Sequence, residues 1–124
     1  MQKRTSYSFG YCPIKLPEDF PFAVSSLFAQ GDKEITFVHA HDVVEFGICL
    51  DGSGIFVVGD KVLPFREGDV SVITSREMHL AQSRRGTVSH WYWIYANLEK
   101  ILFPRFHNPE LADVSKLCGT NFCN

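Results

Sequence analysis

Between residues 24 and 98 the sequence breaks into short apolar runs, among them ITFVHAH, VVEFGICL, IFVV, VSVITS and TVSHWYWIYANL, separated by GDKE, DGSG, GD, REGD and RRG. Runs of this length, rich in Val, Ile, Phe, Thr and Tyr, suit strands and are too short for stable helices. Gly and Asp at the breaks supply turn conformations. The punctuation therefore predicts an all-β domain, a sandwich or a barrel. Gly59-Asp60 and Asp51-Gly52 are the predicted hairpin turns, the second in the order that type I′ turns favour. No long 3.6-residue period appears before Leu98. After it, Pro104 and Pro109 leave room for a short helix at most, around residues 110–117. Residues 1–21 read as an extended lead-in, 22–102 as the barrel and 103–124 as a C-terminal extension or the start of a linker.

With 124 residues, 45% of them hydrophobic, the chain is long enough to bury one core. Twelve Lys and Arg against fourteen Asp and Glu give a net charge of -2, which offers no general attraction to phosphate backbones or anionic membranes. No segment approaches the roughly 20 apolar residues of a membrane helix, and the expected location is the cytoplasm. Cys12, Cys49, Cys118 and Cys123 form no CxxC pair, so free thiols are expected.

One apolar run, HAHDVVEFGICLDG at 39–52, carries His39, His41 and Glu45. In a continuous strand these three share one parity, and Phe46, Ile48 and Leu50 share the other, unless a bend at Asp42 changes the register. His79 follows the run that begins at Val70. Three imidazoles and a carboxylate are the mixed nitrogen and oxygen donors that a divalent transition ion takes, with zinc, nickel, iron and manganese all compatible. In the aromatic run, Trp91, Trp93 and Tyr95 lie on one face and Tyr92 and Ile94 on the other, so the first set can form core or the wall of a ligand pocket. His90 and His107 have no partners at ligand spacing.

At these residues the chain resembles the cupin superfamily of small β-barrels. Its first motif has the spacing of His39-x-His41, Glu45 and Gly52, although seven residues separate Gly31 from His39 where the motif has five. In the second motif Gly68 and His79 are correctly separated, but Thr74, Ser75 and Arg76 replace Pro-x-Gly and Ser83 replaces Asn. The order of hairpin, LPFREGD, final His and aromatic strand looks like the N-terminal sensor domain of AraC-type transcription regulators. That resemblance implies a jelly-roll, or double-stranded β-helix, barrel with a short C-terminal helical or irregular segment. It implies a small-molecule effector, a homodimer, and contact with DNA only through a helix-turn-helix domain that this chain does not contain. The expected metal ligands are His39, His41, Glu45 and His79, and the expected ligand-binding residues are Trp91, Trp93 and Tyr95. The expected role is sensing without catalysis. The alternatives are a metal-dependent cupin enzyme such as a dioxygenase or isomerase, with Tyr92, Tyr95 or Glu77 as its acid or base, and a purely structural dimerisation barrel.

Overall fold

The computed structural model describes residues 7–102. One sheet orders β1 (Ser8–Tyr11), β4 (Phe37–Ala40), β9 (His79–Ser83), β6 (Ser53–Val58) and β7 (Lys61–Arg66). The facing sheet orders β2 (Phe22–Val24), β10 (Ser89–Ala96), β5 (Val44–Asp51) and β8 (Val70–Ile73), with β3 (Phe28–Gln30) also paired to β10. Helix α1 (Leu98–Leu102) follows, and no helix precedes it among the described residues. The all-β reading and the jelly-roll architecture stand. The proposed helix at 110–117, His107, Cys118 and Cys123 lie outside the described residues.

The Gly59-Asp60 hairpin forms as expected, with Val58 opposite Lys61. Asp51-Gly52 does not make a hairpin, because β5 and β6 belong to opposite sheets. Gly52 instead turns the chain from one sheet to the other at φ 88°, where an added Cβ would meet Ser89 Cβ at 2.7 Å. A corner this tight needs glycine for both reasons. Arg84-Arg85-Gly86 likewise joins strands of opposite sheets, although it is exposed as a solvated tip should be.

The alternation in the aromatic run holds: Trp91 and Trp93 are buried between the sheets, while Tyr92 faces outward. Both indoles join Cys49, Phe56, Val58, Phe65, Ile73 and Ala81 in the core. A buried Trp needs a partner for its N–H. Trp91 Nε1 donates to Ser89 Oγ at 2.9 Å, Ser89 Oγ lies 2.7 Å from Ser83 Oγ, and Ser83 Oγ donates to the Gln30 carbonyl at 2.6 Å. Ser83, at the cupin asparagine position, therefore anchors the aromatic strand.

The expected lead-in contributes β1, which runs parallel to β4. Beyond it Cys12 N–H donates to the Ala40 carbonyl at 2.8 Å and Ile14 N–H to Asp42 Oδ1 at 2.8 Å. The N-terminal segment is thus tied to the strand that carries His39 and to the connection that carries His41.

The turn before His79 keeps its shape without its glycine. Arg76, which stands where the cupin motif has Gly, adopts φ 66°, and its N–H donates to the His41 carbonyl at 2.7 Å. Glu77 closes the same turn by accepting from Thr74 N–H at 3.1 Å. The left-handed conformation costs a side-chain-bearing residue about 1–2 kcal/mol. Arg76→Gly is accordingly expected to raise stability by up to about 1 kcal/mol, read as a higher urea midpoint.

Candidate metal and ligand site

The chain bends at Asp42 and passes from β4 in one sheet to β5 in the other. His39 therefore approaches from one sheet, His41 from the connection just past β4, and Glu45 from the facing sheet. The single-strand parity expected from sequence is replaced by two strands whose inner faces meet. His79 opens β9 directly opposite His39 in the antiparallel register. One potential donor atom from each of His39, His41, Glu45 and His79 lies within 4.8 Å of all the others.

Backbone contacts fix two of the rings. His41 Nδ1 lies 2.6 Å from the Cys12 carbonyl and His79 Nδ1 lies 2.8 Å from the Glu77 carbonyl, so both rings donate from Nδ1. In their neutral forms each then turns an Nε2 lone pair inward. These two nitrogens face the same oxygen, Glu45 Oε2, at 2.9 Å and 3.2 Å. His41 Nε2 is buried and makes no hydrogen bond there. Two imidazole lone pairs this close to one carboxylate oxygen repel it unless a proton or a cation lies among them. The donor set fits a divalent transition ion.

The electrostatics express the same competition. Burial works against a charged His41, yet the adjacent Glu45 and the Cys12 carbonyl outweigh it and hold its pKa above the ordinary 6.5. Burial, with help from His79 and His41, depresses His39 to about 4. Burial alone would raise Glu45, but His41 and His79 bring it down to about 2. A bound ion requires neutral imidazoles, so it must displace the proton that His41 retains. Metal affinity is expected to weaken by about tenfold per pH unit once the pH falls below the His41 value. Isothermal titrations between pH 8 and 6 would measure that slope.

A cavity of about 280 Å³ opens beside this cluster. Trp93 and Tyr95 line it, together with Phe28, Gln30 and Phe56. Tyr95 stands opposite Glu45 in the β10–β5 register and meets the His41 ring edge-on at 5.4 Å. Burial, then the Glu45 charge, pushes its hydroxyl up to about 12. Trp91 is not at this cavity; it stacks behind Trp93 at 4.7 Å and 7°. Trp93 lies so close over Gly47 that an added Cβ would overlap its ring and the Ser71 hydroxyl. Gly47→Ala is expected to displace Trp93 and cost about 1–3 kcal/mol, seen as altered tryptophan fluorescence with a lowered denaturation midpoint. Phe28 and Gln30 were missed in the sequence because β3 reaches the site only through long-range pairing with β10. His90 stays outside, at 2.7 Å from Asp51 on the surface.

A model of the AraC-like ligand binding domain matches residues 22–103. The chain belongs to that family. Solved structures similar to this AraC-like domain include a cupin protein from Bacteroides fragilis, at 18% identity and a TM-score of 0.55, covering 61% of this chain and 65% of that one. A cupin 2 conserved barrel domain protein from Salinispora arenicola is 19% identical with a TM-score of 0.56, covering 71% and 74%. One from Rhodopseudomonas palustris is 16% identical with a TM-score of 0.55, covering 67% and 57%. At these identities the likeness establishes the cupin fold alone. No curated protein is similar enough to count as a match. No helix among the described residues is long and apolar enough to cross a membrane.

Proposed function

We propose that this AraC-like domain senses a small molecule in the cavity beside His39, His41, Glu45 and His79, with a divalent transition ion held by those four residues, and performs no chemistry of its own. The observation that carries the reading is the shared cavity. An aromatic wall of Trp93, Tyr95 and Phe28 faces the donor cluster across one space, which is the mix of apolar surface and few convergent polar groups that ligand sites use. The acid–base candidates of the enzyme alternative favour it less. Tyr92 faces out of the barrel, Glu77 is bound to Thr74 in its turn, and Tyr95 keeps its proton up to about 12. The reading places DNA contact in a separate helix-turn-helix domain and the protein in the cytoplasm.

It also includes a homodimer. On the outer face of the β2-β10-β5-β8 sheet, Val24, Ile94, Phe46 and Val72 stand side by side, and Tyr92, Ile48 and Val70 form the next row. Such a face buries readily against a second copy. Sedimentation equilibrium at tens of micromolar, a working range for weak dimers, is expected to show a dimer that Ile48→Glu dissociates. For the effector, binding to the folded form alone raises the melting temperature by mass action. A thermal-shift screen of sugars, small acids and aromatic metabolites is expected to give hits that Trp93→Ala removes; hits unaffected by that substitution count against this cavity.

A further inference from the structure

The two edges of the sheet β1-β4-β9-β6-β7 are built differently. At one end β7 carries Lys61, Pro64 and Arg66, residue types that keep an exposed edge from pairing with another chain. At the other end β1 carries neither charge nor proline, and among the described residues no strand but β4 pairs with it. Ser8 N–H donates to the Thr36 carbonyl at 2.9 Å and Cys12 N–H to the Ala40 carbonyl at 2.8 Å. Backbone groups along a strand alternate sides. Ser8, Gly10 and Cys12 therefore bond toward β4, while the N–H and C=O groups of Tyr7, Phe9 and Tyr11 point away from it, along the open edge.

The side chains alternate as well. Gly10 shares the inner face of its register partner His39 and sits against Phe37, whose ring an added Cβ would meet at 2.6 Å. Tyr7, Phe9 and Tyr11 turn the other way and are 57%, 70% and 55% exposed. Tyr7 and Phe9 border a groove of about 880 Å³ over Val38, Ile55, Val57 and Val62 on the outer face of the sheet. Aromatic residues at three alternate positions read the same in both directions about Phe9. From these observations we propose that β1 pairs antiparallel with β1 of a second copy of this chain, on a two-fold axis through Phe9. Phe9 then faces Phe9 of the second copy and Tyr7 faces its Tyr11, a ladder of six rings on one face. In that register the open-edge N–H and C=O groups of all three residues meet their counterparts, whereas a slip of one residue sets them against groups already bonded to β4. The contact lies on the sheet opposite the β2-β10-β5-β8 face and does not depend on the dimer proposed there. Half-exposed aromatic side chains offer on the order of 100 Å² each, so the contact falls short of the roughly 1,200–2,000 Å² of a stable interface. The pairing is therefore weak, with a Kd on the order of 100 μM.

Sedimentation equilibrium and amide hydrogen exchange of the whole chain, each between about 20 μM and 1 mM, a range that brackets this Kd, test the pairing. The average mass is expected to rise by about half over that range, from whatever species is present at its lower end. On dilution the Phe9 and Tyr11 amides should exchange about fourfold faster, the ratio of free edges that this Kd gives, while the Gly10 amide, bonded toward β4, should not change. Phe9→Pro removes an N–H that β4 does not use, and Phe9→Lys keeps the N–H but sets like charges face to face on the axis. Phe9 is mostly exposed, so both variants should fold, and both are expected to lose the rise in mass. No rise in mass, a rise retained in both variants, or a rise abolished by Ile48→Glu on the other sheet would overturn the proposal. So would Phe9 and Tyr11 amides that exchange at the same rate at every concentration: uniformly slow exchange would mean that another segment of the chain covers the edge, and uniformly fast exchange that nothing does.

Discussion

Replacing His41 and His79 together by Ala is expected to abolish binding of a divalent transition ion, as measured by elemental analysis after chelator washing and reloading. These are the two rings whose Nδ1 atoms are fixed by backbone carbonyls and whose Nε2 atoms meet at Glu45. His39 and Glu45 alone leave a two-donor site, far short of the three or four ligands that hold such ions. Equal metal in the wild type and the variant would place the ion elsewhere. The double substitution has a second consequence. Glu45 is buried, and its value near 2 exists because the two imidazoles outweigh the burial that would raise it. A carboxylate whose folded value is depressed contributes stability above its ordinary 4.5, and loses that contribution as pH falls toward 2. Without the imidazoles burial prevails and the sign reverses, so the variant is penalised at neutral pH and relieved as Glu45 takes a proton in acid. Removing the partners of a buried charge costs about 3–5 kcal/mol. Chemical denaturation of the metal-free variant is expected to show stability rising from pH 7 to 5, and a flat or falling profile would contradict this account of Glu45.

The other large effect belongs to the rear of the barrel. Trp91 is 1% exposed, stacks on Trp93, meets Phe65 edge-on at 4.9 Å and terminates the hydroxyl chain through Ser89 and Ser83. Truncation to Ala removes one of the two indoles of the core, the more deeply buried one, and strands that chain, so Trp91→Ala is expected to cost about 3–5 kcal/mol. Ser89→Ala should cost about 1–3 kcal/mol by leaving the indole N–H without an acceptor. Urea denaturation of both variants measures the order. A Trp91→Ala loss below that of Ser89→Ala would mean that the indole is not the centre of the core.

The sequence made the strands and the donor types legible because both depend on local pattern. Short apolar runs identify strands wherever they pair, and His-x-His with a later Glu and His marks donors whatever the backbone does between them. Pairing was less legible. Asp51-Gly52 has the composition of a hairpin turn, yet it is a corner between sheets, a difference decided by the partners of β5 and β6 far along the chain. The same holds for Asp42, where the bend that endangers a one-strand reading is what carries Glu45 across to face the histidines. Trp91, Trp93 and Tyr95 share a face as their alternation requires, but parity cannot tell that Trp93 and Tyr95 reach the cavity while Trp91 stands one layer behind. Arg76 shows the converse. A residue that departs from the motif still adopts the motif's left-handed turn, because its N–H bond to His41 and the Glu77–Thr74 closure hold it there.

A barrel that holds a molecule without transforming it is tested most directly by the fate of that molecule. A compound found by thermal shift should be incubated for a long period with the protein, oxygen and each of zinc, nickel, iron and manganese, then recovered and quantified by mass spectrometry. Sensing without catalysis predicts full recovery of the unchanged compound with every metal. Its consumption with turnover, abolished by Glu45→Ala, would contradict that account and make the domain a metal-dependent enzyme.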